Sequence, residues 1–420
     1  MFKLKPIFTA LSPNVQKDDI FLAFKLIFQI WKWRKGSCIS KLENKFKEYL
    51  QVKNAISFNS GRVSFLAILE SIGVQQDDEI LIQAFTCNAV INPIINKRGT
   101  PIFVDIDNTL NIDPEELQKK ITQKTKAIVV QHTFGFPAQI DKIANIAKQN
   151  NLILIEDCAH CIGSKYKGKL CGTFGDVAFF SFGRSKVISS VFGGLITTDN
   201  QQLAEKIKSF QDNLKQPSHC WVLQQLLHPV LTNIVLYTYG LSYNLGKVLL
   251  VALNRLHILS KAITKKEKLG SMNKKFFRKL PNAMAILALH QFNKLDRFNK
   301  HRKEVSHLYE RELQNYNLPF SNLNNEITPV FMRYPVLVDF NTDKFLSTAR
   351  TEKIFLNDGW RKSAVVPIDV DINKTGYTIG SCSCAESVSQ NIINLPTHIN
   401  ISVQKAHKII NLLKTYEHRN

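Results

Sequence analysis

The sequence predicts an α/β fold: a large domain with a mostly parallel sheet sandwiched by helices, plus a smaller C-terminal α+β domain. Three observations carry this expectation. From about residue 55 to 210, strand-like and helix-like segments alternate with short links. The strand-like segments are nearly continuous apolar runs, as in a parallel sheet covered on both faces. Two charged residues, Asp157 and Lys186, follow such runs, at the strand ends where open α/β sheets bind ligands.

Taken in order, segment 20–35 (IFLAFKLIFQIWKWRK) alternates apolar and basic positions at helical spacing and predicts one amphipathic basic helix. It would pack on its own domain or a partner, or lie at an anionic membrane surface. A second helix is expected over 39–49, with apolar residues at Leu42, Phe46 and Leu50. Strands are expected over 55–58, 79–83, 101–105, 126–131, 152–156, 177–182 and 193–198. The helices between them fall after Ser60-Gly61-Arg62 and over 86–96, 114–121, 140–149 and 201–210. Asp113 before Pro114 has the order of an N-cap followed by proline at the first helical position.

Between Lys215 and Lys247 there is no Asp, Glu, Lys or Arg, and a basic cluster, KAITKKEK, starts at Lys261. Pro229, Asn233, Gly240, Asn244 and Gly246 make the run a poor spanning helix. It is expected to form an interfacial hairpin facing anionic lipid, or a helical pair buried in a dimer interface. Beyond it, one long helix is expected over 281–313 with Met284, Leu287, Gln291, Leu295 and Phe298 along one face. A strand (333–339), a mostly helical stretch (342–356) and a terminal helix (403–413) complete the chain. The expected division is 1–211 (large domain), 212–278 (apolar and basic insertion) and 279–420 (small domain).

The 420 residues are enough for two or three domains. Lys and Arg number 55 against 34 Asp and Glu, a net charge of +21, which attracts phosphates, nucleic acid or anionic lipid alike. With no zinc-finger spacing and no RNA-binding aromatic signature, neither nucleic acid nor a metal is expected. Eight scattered cysteines suit a reduced, cytoplasmic compartment. The pair Cys158 and Cys161 lacks a thioredoxin-like context and is expected to pack. MFKLKPIFTALSPN has no sustained apolar core with a cleavage site, so no signal peptide is expected.

A carboxylate at Asp157, after a strand of Leu and Ile, is costly when buried unless a cation accompanies it. A protonated pyridine nitrogen would serve; capping the following helix is the simpler alternative. His160 could hydrogen-bond a cofactor's ring hydroxyl or be structural. Lys186 alone would be an ordinary turn lysine. Ser181, however, ends the preceding strand, and Ser60-Gly61-Arg62 opens a helix whose N-terminus would favour an anion. Gly61 permits close backbone approach and Arg62 adds charge. Phosphate sites plus a lysine suggest pyridoxal phosphate.

EDCAH at 156–160, GTFGDVAFFSFGRSK at 172–186 and GGLITTD at 193–199 occur in order with five further stretches. These are SGRVSFLAIL at 60–69, FTCNAVINPIINKRGTPIFVDID at 85–107, TKAIVVQHTFG at 125–135, RYPVLV at 333–338 and NLPTH at 394–398, with 212–278 left out. Together they resemble the DegT/DnrJ/StrS family of pyridoxal-phosphate sugar aminotransferases, of fold type I. The resemblance implies that Lys186 is the Schiff-base lysine and that Asp157 keeps the pyridine nitrogen protonated. It places His160 beside the ring hydroxyl, Ser181, Gly61 and Arg62 at the phosphate, and Phe85 stacked on the ring. It further implies transfer of an amino group, typically from glutamate, to a nucleotide- or lipid-linked keto sugar in glycan or polysaccharide precursor synthesis, by a homodimer. Lys186 argues against the family's dehydratase branch, which has histidine there.

Departures fall at Arg62, where the family more often has Thr or Ser, at Gly183-Arg184, at Phe277-Arg278-Lys279 and in the insertion. The insertion suggests a cytoplasmic protein with peripheral contact at the inner face of the membrane. Two alternatives stand beside the aminotransferase reading: another pyridoxal-phosphate reaction at the same lysine, and a catalytically silent scaffold or regulator at the membrane surface.

Overall fold

The computed structural model describes residues 6–273, 276–320 and 326–417. Its centre is a seven-stranded sheet of β1 (Asn54–Phe58), β2 (Glu79–Gln83), β3 (Thr100–Val104), β4 (Thr125–Gln131), β5 (Ile153–Asp157), β6 (Val177–Ser181) and β7 (Gly194–Thr198). The spatial order is β1-β7-β6-β5-β4-β2-β3. Every pairing is parallel except those of β7, which runs antiparallel to β6 and β1.

The apolar runs are continuous because successive side chains enter different cores. Ile80, Ile82, Ala127, Val129 and Ile155 join one cluster. Leu81, Ile128, Val130 and Leu154 join the other. Each of these Ile, Leu and Val side chains fully buried stabilises by roughly 1.5–3 kcal/mol, so polar substitution on either face of these strands is costly.

Around the sheet lie α1 (Lys17–Ile27), α2 (Cys38–Leu50), α3 (Gly61–Ser71), α4 (Asn88–Asn96), α5 (Pro114–Lys119), α6 (Ile140–Gln149) and α7 (Gln201–Asp212). Asp113 caps α5, its Oδ1 accepting from the N–H groups of Glu115 and Glu116. The insertion is a helical hairpin, α8 (His219–Leu241) and α9 (Tyr243–Arg255), with α8 packed on α1. Its two ends meet: the Lys279 N–H donates to the Lys215 carbonyl at 3.1 Å. Among the described residues no helix is long and apolar enough to cross a membrane.

The C-terminal part contains α10 (Asn282–Phe292), α11 (Leu295–Glu312), β8 (Arg333–Leu337), α12 (Thr342–Thr351), α13 (Ser383–Asn391), β9 (Ile392–Pro396) and α14 (Val403–Glu417). Strands β8 and β9 pair antiparallel. Two short parallel pairings tie it to the rest of the chain, Ile7–Phe8 with Ile354–Phe355 and Thr86–Cys87 with Val365–Val366.

Four expected elements differ. The single helix expected over 20–35 ends at Ile27, and a 3-10 turn over Ile30–Lys32 follows. The chain bends back there because Trp33 is buried and its indole N–H donates to the Leu26 carbonyl at 2.6 Å. The long helix expected over 281–313 is two helices. At the break, Lys294 is drawn to Asp18 and Asp19 of α1, at 2.9 and 2.8 Å, contacts that no local pattern encodes. Residues 86–87 are extended rather than helical, because they pair with 365–366. Likewise 354–355 leaves the expected helix to pair with the N-terminal arm.

Candidate active site

The parallel register sets Gln131 of β4 beside Asp157 of β5, and Asp157 beside Phe179 of β6, two residues before Ser181. Three strand ends thus open onto one crevice. There lies a cavity of about 470 Å³, lined by Gly61, Arg62, Gln131, Asp157, His160, Ser181, Lys186 and others. Six of the seven residues singled out from the sequence meet there.

Asp157 is buried, and its Oδ1 accepts the Ala159 N–H at 3.0 Å. Burial raises its pKa, opposed by that hydrogen bond and by the charge of Lys186. Lys186 is half-buried in the turn after β6. Burial lowers its pKa to about 8, against the pull of Asp157 and Cys87, while the Arg333 and Arg62 charges add to the lowering. A lysine so perturbed supplies neutral amine near physiological pH, which a nucleophile or general base requires. Its backbone is clamped: Asn14 donates to the Lys186 carbonyl, and buried Arg302 donates to Asn14 Oδ1 at 2.7 Å and to the Val187 carbonyl at 2.8 Å.

His160 is buried, and its Nδ1 accepts the Phe134 N–H at 3.3 Å. Burial, then the charges of Lys186 and Arg333, hold its pKa well below the usual histidine range, so the ring is neutral. It stacks on Phe134 at 5.9 Å and meets Trp360 edge-on at 5.1 Å.

Ser60 caps α3, its Oγ accepting the Val63 N–H. The first N–H groups of a helix have no partner within it, so Gly61 and Arg62 open α3 toward the cavity beside Ser181. The fit is close. A Cβ on Gly61 would stand 2.9 Å from Ser181 Cβ, and one on Gly194 would stand 2.5 Å from the Gly61 nitrogen. The Arg62 guanidinium does not stay with this cradle. It pairs with Glu267, donates to the Ala262 carbonyl at 2.6 Å and lies 5.0 Å over the Phe276 ring. Burial lowers its pKa to about 10.

Phe85 is the seventh residue, and it is not among those lining the cavity. A left-handed φ of 55° turns the chain there, and the fully buried ring meets Trp360 and Phe134 edge-on at 5.6 and 6.1 Å. The aromatic rings that line the cavity from this cluster are His160 and Trp360.

Sequence reasoning did not single out Arg333, Asp358 and Trp360, which also line the cavity. Arg333 opens β8, and its guanidinium lies 2.7 Å from Asp358, both side chains buried. A charged residue opening an apolar strand was the available signal for Arg333; nothing local marks the other two. The hairpin side was not foreseen as part of the cavity either. His228, Thr232, Leu250, Asn254 and Leu259 line it, and Arg184 grips Ser260 through its carbonyl and hydroxyl.

Beneath the site, buried Glu156 faces the other way. Its Oε1 accepts from the Phe174 and Gly175 N–H groups at 2.6 and 2.8 Å. Its Oε2 accepts the Gly172 N–H at 2.8 Å and lies 3.1 Å from His132 Nε2. Cys158, Cys161 and Cys171 gather around His132 and Glu156, but both His132 nitrogens are engaged, Nδ1 by the Ala138 N–H and Nε2 by Glu156.

Comparison with known proteins agrees with this architecture. The chain is 29% identical over 394 residues to an uncharacterized protein of Methanocaldococcus jannaschii, covering 89% of this chain and 88% of that one. It is 41% identical over 182 residues to the GDP-perosamine synthase of Escherichia coli O157:H7, a match spanning 43% of this chain and half of the relative. A putative sugar aminotransferase of Streptococcus pneumoniae in its PLP form shares the fold, with a TM-score of 0.76, 18% identity and coverage of 99% of both chains. The family model of the DegT/DnrJ/EryC1/StrS aminotransferases matches residues 15–414. A parallel sheet whose strand ends gather a perturbed lysine, a buried carboxylate and a helix N-terminus, together with a match over nearly the whole length, places this chain in the DegT/DnrJ/EryC1/StrS aminotransferase family.

Proposed function

We propose that this aminotransferase binds pyridoxal 5'-phosphate in the Lys186 cavity and moves an amino group, with glutamate as donor, to a keto sugar in glycan precursor synthesis. The observation that carries the reading is the convergence of Lys186, Asp157, His160 and the Gly61–Ser181 cradle on one cavity. The opening of α3 can pack this closely on Ser181 and on β7 because Gly61 and Gly194 lack a Cβ, which brings the first N–H groups of the helix and the Ser181 hydroxyl together. GDP-perosamine synthase among the relatives supports the sugar acceptor. The M. jannaschii relative, matched over most of both chains, carries no assigned activity.

When bound, the cofactor supplies an electron sink for the carbon that loses its proton. The protein's residues do the rest. Lys186 holds the cofactor and, once released, moves the proton at the substrate carbon as general base and then acid. Asp157 keeps a ring nitrogen protonated from its buried position, and His160, neutral, offers a hydrogen bond at the ring's edge. The N–H groups opening α3, with the Ser181 hydroxyl, hold the phosphate. Phe85 supports the aromatic wall. The reading includes a homodimer and peripheral contact with a membrane through the basic, apolar insertion.

The test is spectroscopic. Purified protein is expected to carry a visible absorption band that glutamate bleaches, that a keto sugar nucleotide restores, and that Lys186→Ala lacks. A colourless wild type that added pyridoxal phosphate cannot reconstitute would refute the reading.

A further inference from the structure

Helices on the surface of a globular protein turn one apolar stripe inward. Three packed helices here carry a second stripe facing out. On α1, with Ala23 and Leu26 buried inward, the large side chains Phe21, Phe24 and Phe28 are exposed at helical spacing, followed by Ile30 and Trp31, the last 74% exposed. On α8 the set is Ile234, Tyr237 and Leu241; on α9 it is Leu245, Val248 and Val251, with Val248 66% exposed. α1 packs on α8 and α8 on α9, so the stripes lie on adjoining helices. An exposed apolar surface of this extent marks an interaction site.

Charge selects the partner. Residues 20–42 contain five Lys or Arg and residues 213–266 contain six, and neither segment has a single Asp or Glu. Lys25, Lys32, Lys35, Lys247 and Arg255 are exposed beside the stripes. A two-fold contact between copies would press this patch against itself and set cations against cations. An anionic bilayer offers what the face lacks, acyl chains for the rings and aliphatic groups and phosphates for the cations. Among the described residues no helix is long and apolar enough to cross the bilayer, so the contact proposed is with its surface.

The hairpin has two working sides. Thr232 and Leu250 line the Lys186 cavity while Ile234 and Val248 face outward. One helix diameter, about 10 Å, separates the two sides. We propose that the outward face of α1, α8 and α9 is a docking surface for an anionic lipid bilayer, seating the Lys186 cavity at the membrane. This rests on the peripheral contact in the proposed function and names its surface and lipid class.

The test is flotation of the full-length, cofactor-loaded protein with vesicles. Wild type is expected to float with phosphatidylglycerol–phosphatidylcholine vesicles at low salt, to be released by high salt, and to stay behind with phosphatidylcholine alone. The exposed quadruple variant Phe24→Ser, Trp31→Ser, Leu245→Ser, Val248→Ser, and the charge variant Lys32→Glu, Lys35→Glu, Lys247→Glu, should each lose about tenfold or more of the bound fraction, with Tm and cofactor colour unchanged. Failure of wild type to float, equal flotation on both lipids, or flotation by the quadruple variant like wild type overturns the proposal. So does a quadruple variant that loses its solution dimer while wild type ignores vesicles, which would make the face an interface between copies. A protein that floats but never takes up the cofactor sinks the aminotransferase reading and leaves the docking; one that is coloured but does not float does the reverse.

Discussion

Arg62 and Glu267 form a buried ion pair that joins the first turn of α3, at the candidate phosphate cradle, to the single turn Lys265–Lys268 after the hairpin. The Glu267 carboxylate also accepts from the Thr264 N–H and hydroxyl, both at 2.8 Å, and its carbonyl accepts from the amides of Asn88 and Asn92. Arg184 makes the matching grip on Ser260. Two positions where this chain departs from the pattern it resembles are therefore among the anchors of its insertion.

Breaking the pair from one side strands a buried charge, which costs about 3–5 kcal/mol. Glu267→Met is expected to lower the urea unfolding free energy by about that amount, and Arg62→Met by a similar one. The double variant should recover much of the loss, because an apolar pair of similar size removes the stranded charge. Additive losses in the double-mutant cycle would show that the two side chains act separately.

Lys186 sets a pH dependence. The neutral amine is the reactive form, and burial brings its pKa to about 8. The rate at which apoenzyme takes up pyridoxal phosphate should rise through pH of about 8 rather than near 10.5. Asp157 favours the charged lysine, so Asp157→Asn moves that midpoint down; Arg333 disfavours it, so Arg333→Met moves it up. Because the folded pKa is depressed, the lysine's cost to stability is complete below pH 8 and fades as pH rises toward 10.5. Apo wild type should accordingly gain on Lys186→Met over that window, measured by urea unfolding.

Glu156 makes a separate prediction. Burial opposes its ionisation, but His132 and the Gly175 and Gly172 N–H groups outweigh it and hold the pKa below the usual glutamate range. Glu156→Gln keeps the shape yet replaces one acceptor oxygen with a donor facing either N–H groups or His132. A loss of about 2–3 kcal/mol is expected at pH 7. The carboxylate's contribution is present above its unfolded pKa and is lost as pH falls through the folded one. The gap between wild type and variant should therefore shrink in acid unfolding curves.

How far local pattern reaches is visible in particular elements. β2 is expected over 79–83 and α6 over 140–149, and both are found at those bounds, because apolar runs and helical periodicity are short-range signals. The break between α10 and α11 was not legible: Asn293-Lys294 holds no proline or glycine, and the turn is held by ion pairs to Asp18 and Asp19, far away in the chain. Arg333 and Asp358 illustrate the same limit at the site, since their 2.7 Å contact joins two segments of the C-terminal part at a cavity built largely by the sheet.

By itself the sequence determined the α/β class, the strand ends that carry Asp157 and Ser181, the turn that carries Lys186, and the glycine that opens α3. These follow from apolar runs and from residue types next to one another in the chain. Only the tertiary structure decided that Arg62 turns from the cradle to Glu267, that Phe85 lies behind His160 and Trp360, and that the hairpin walls the cavity on one side and bares apolar rows on the other. The physical reason is that a guanidinium goes to whichever buried carboxylate the fold brings near, and a ring to whichever void packing leaves. Both depend on contacts between residues far apart in sequence.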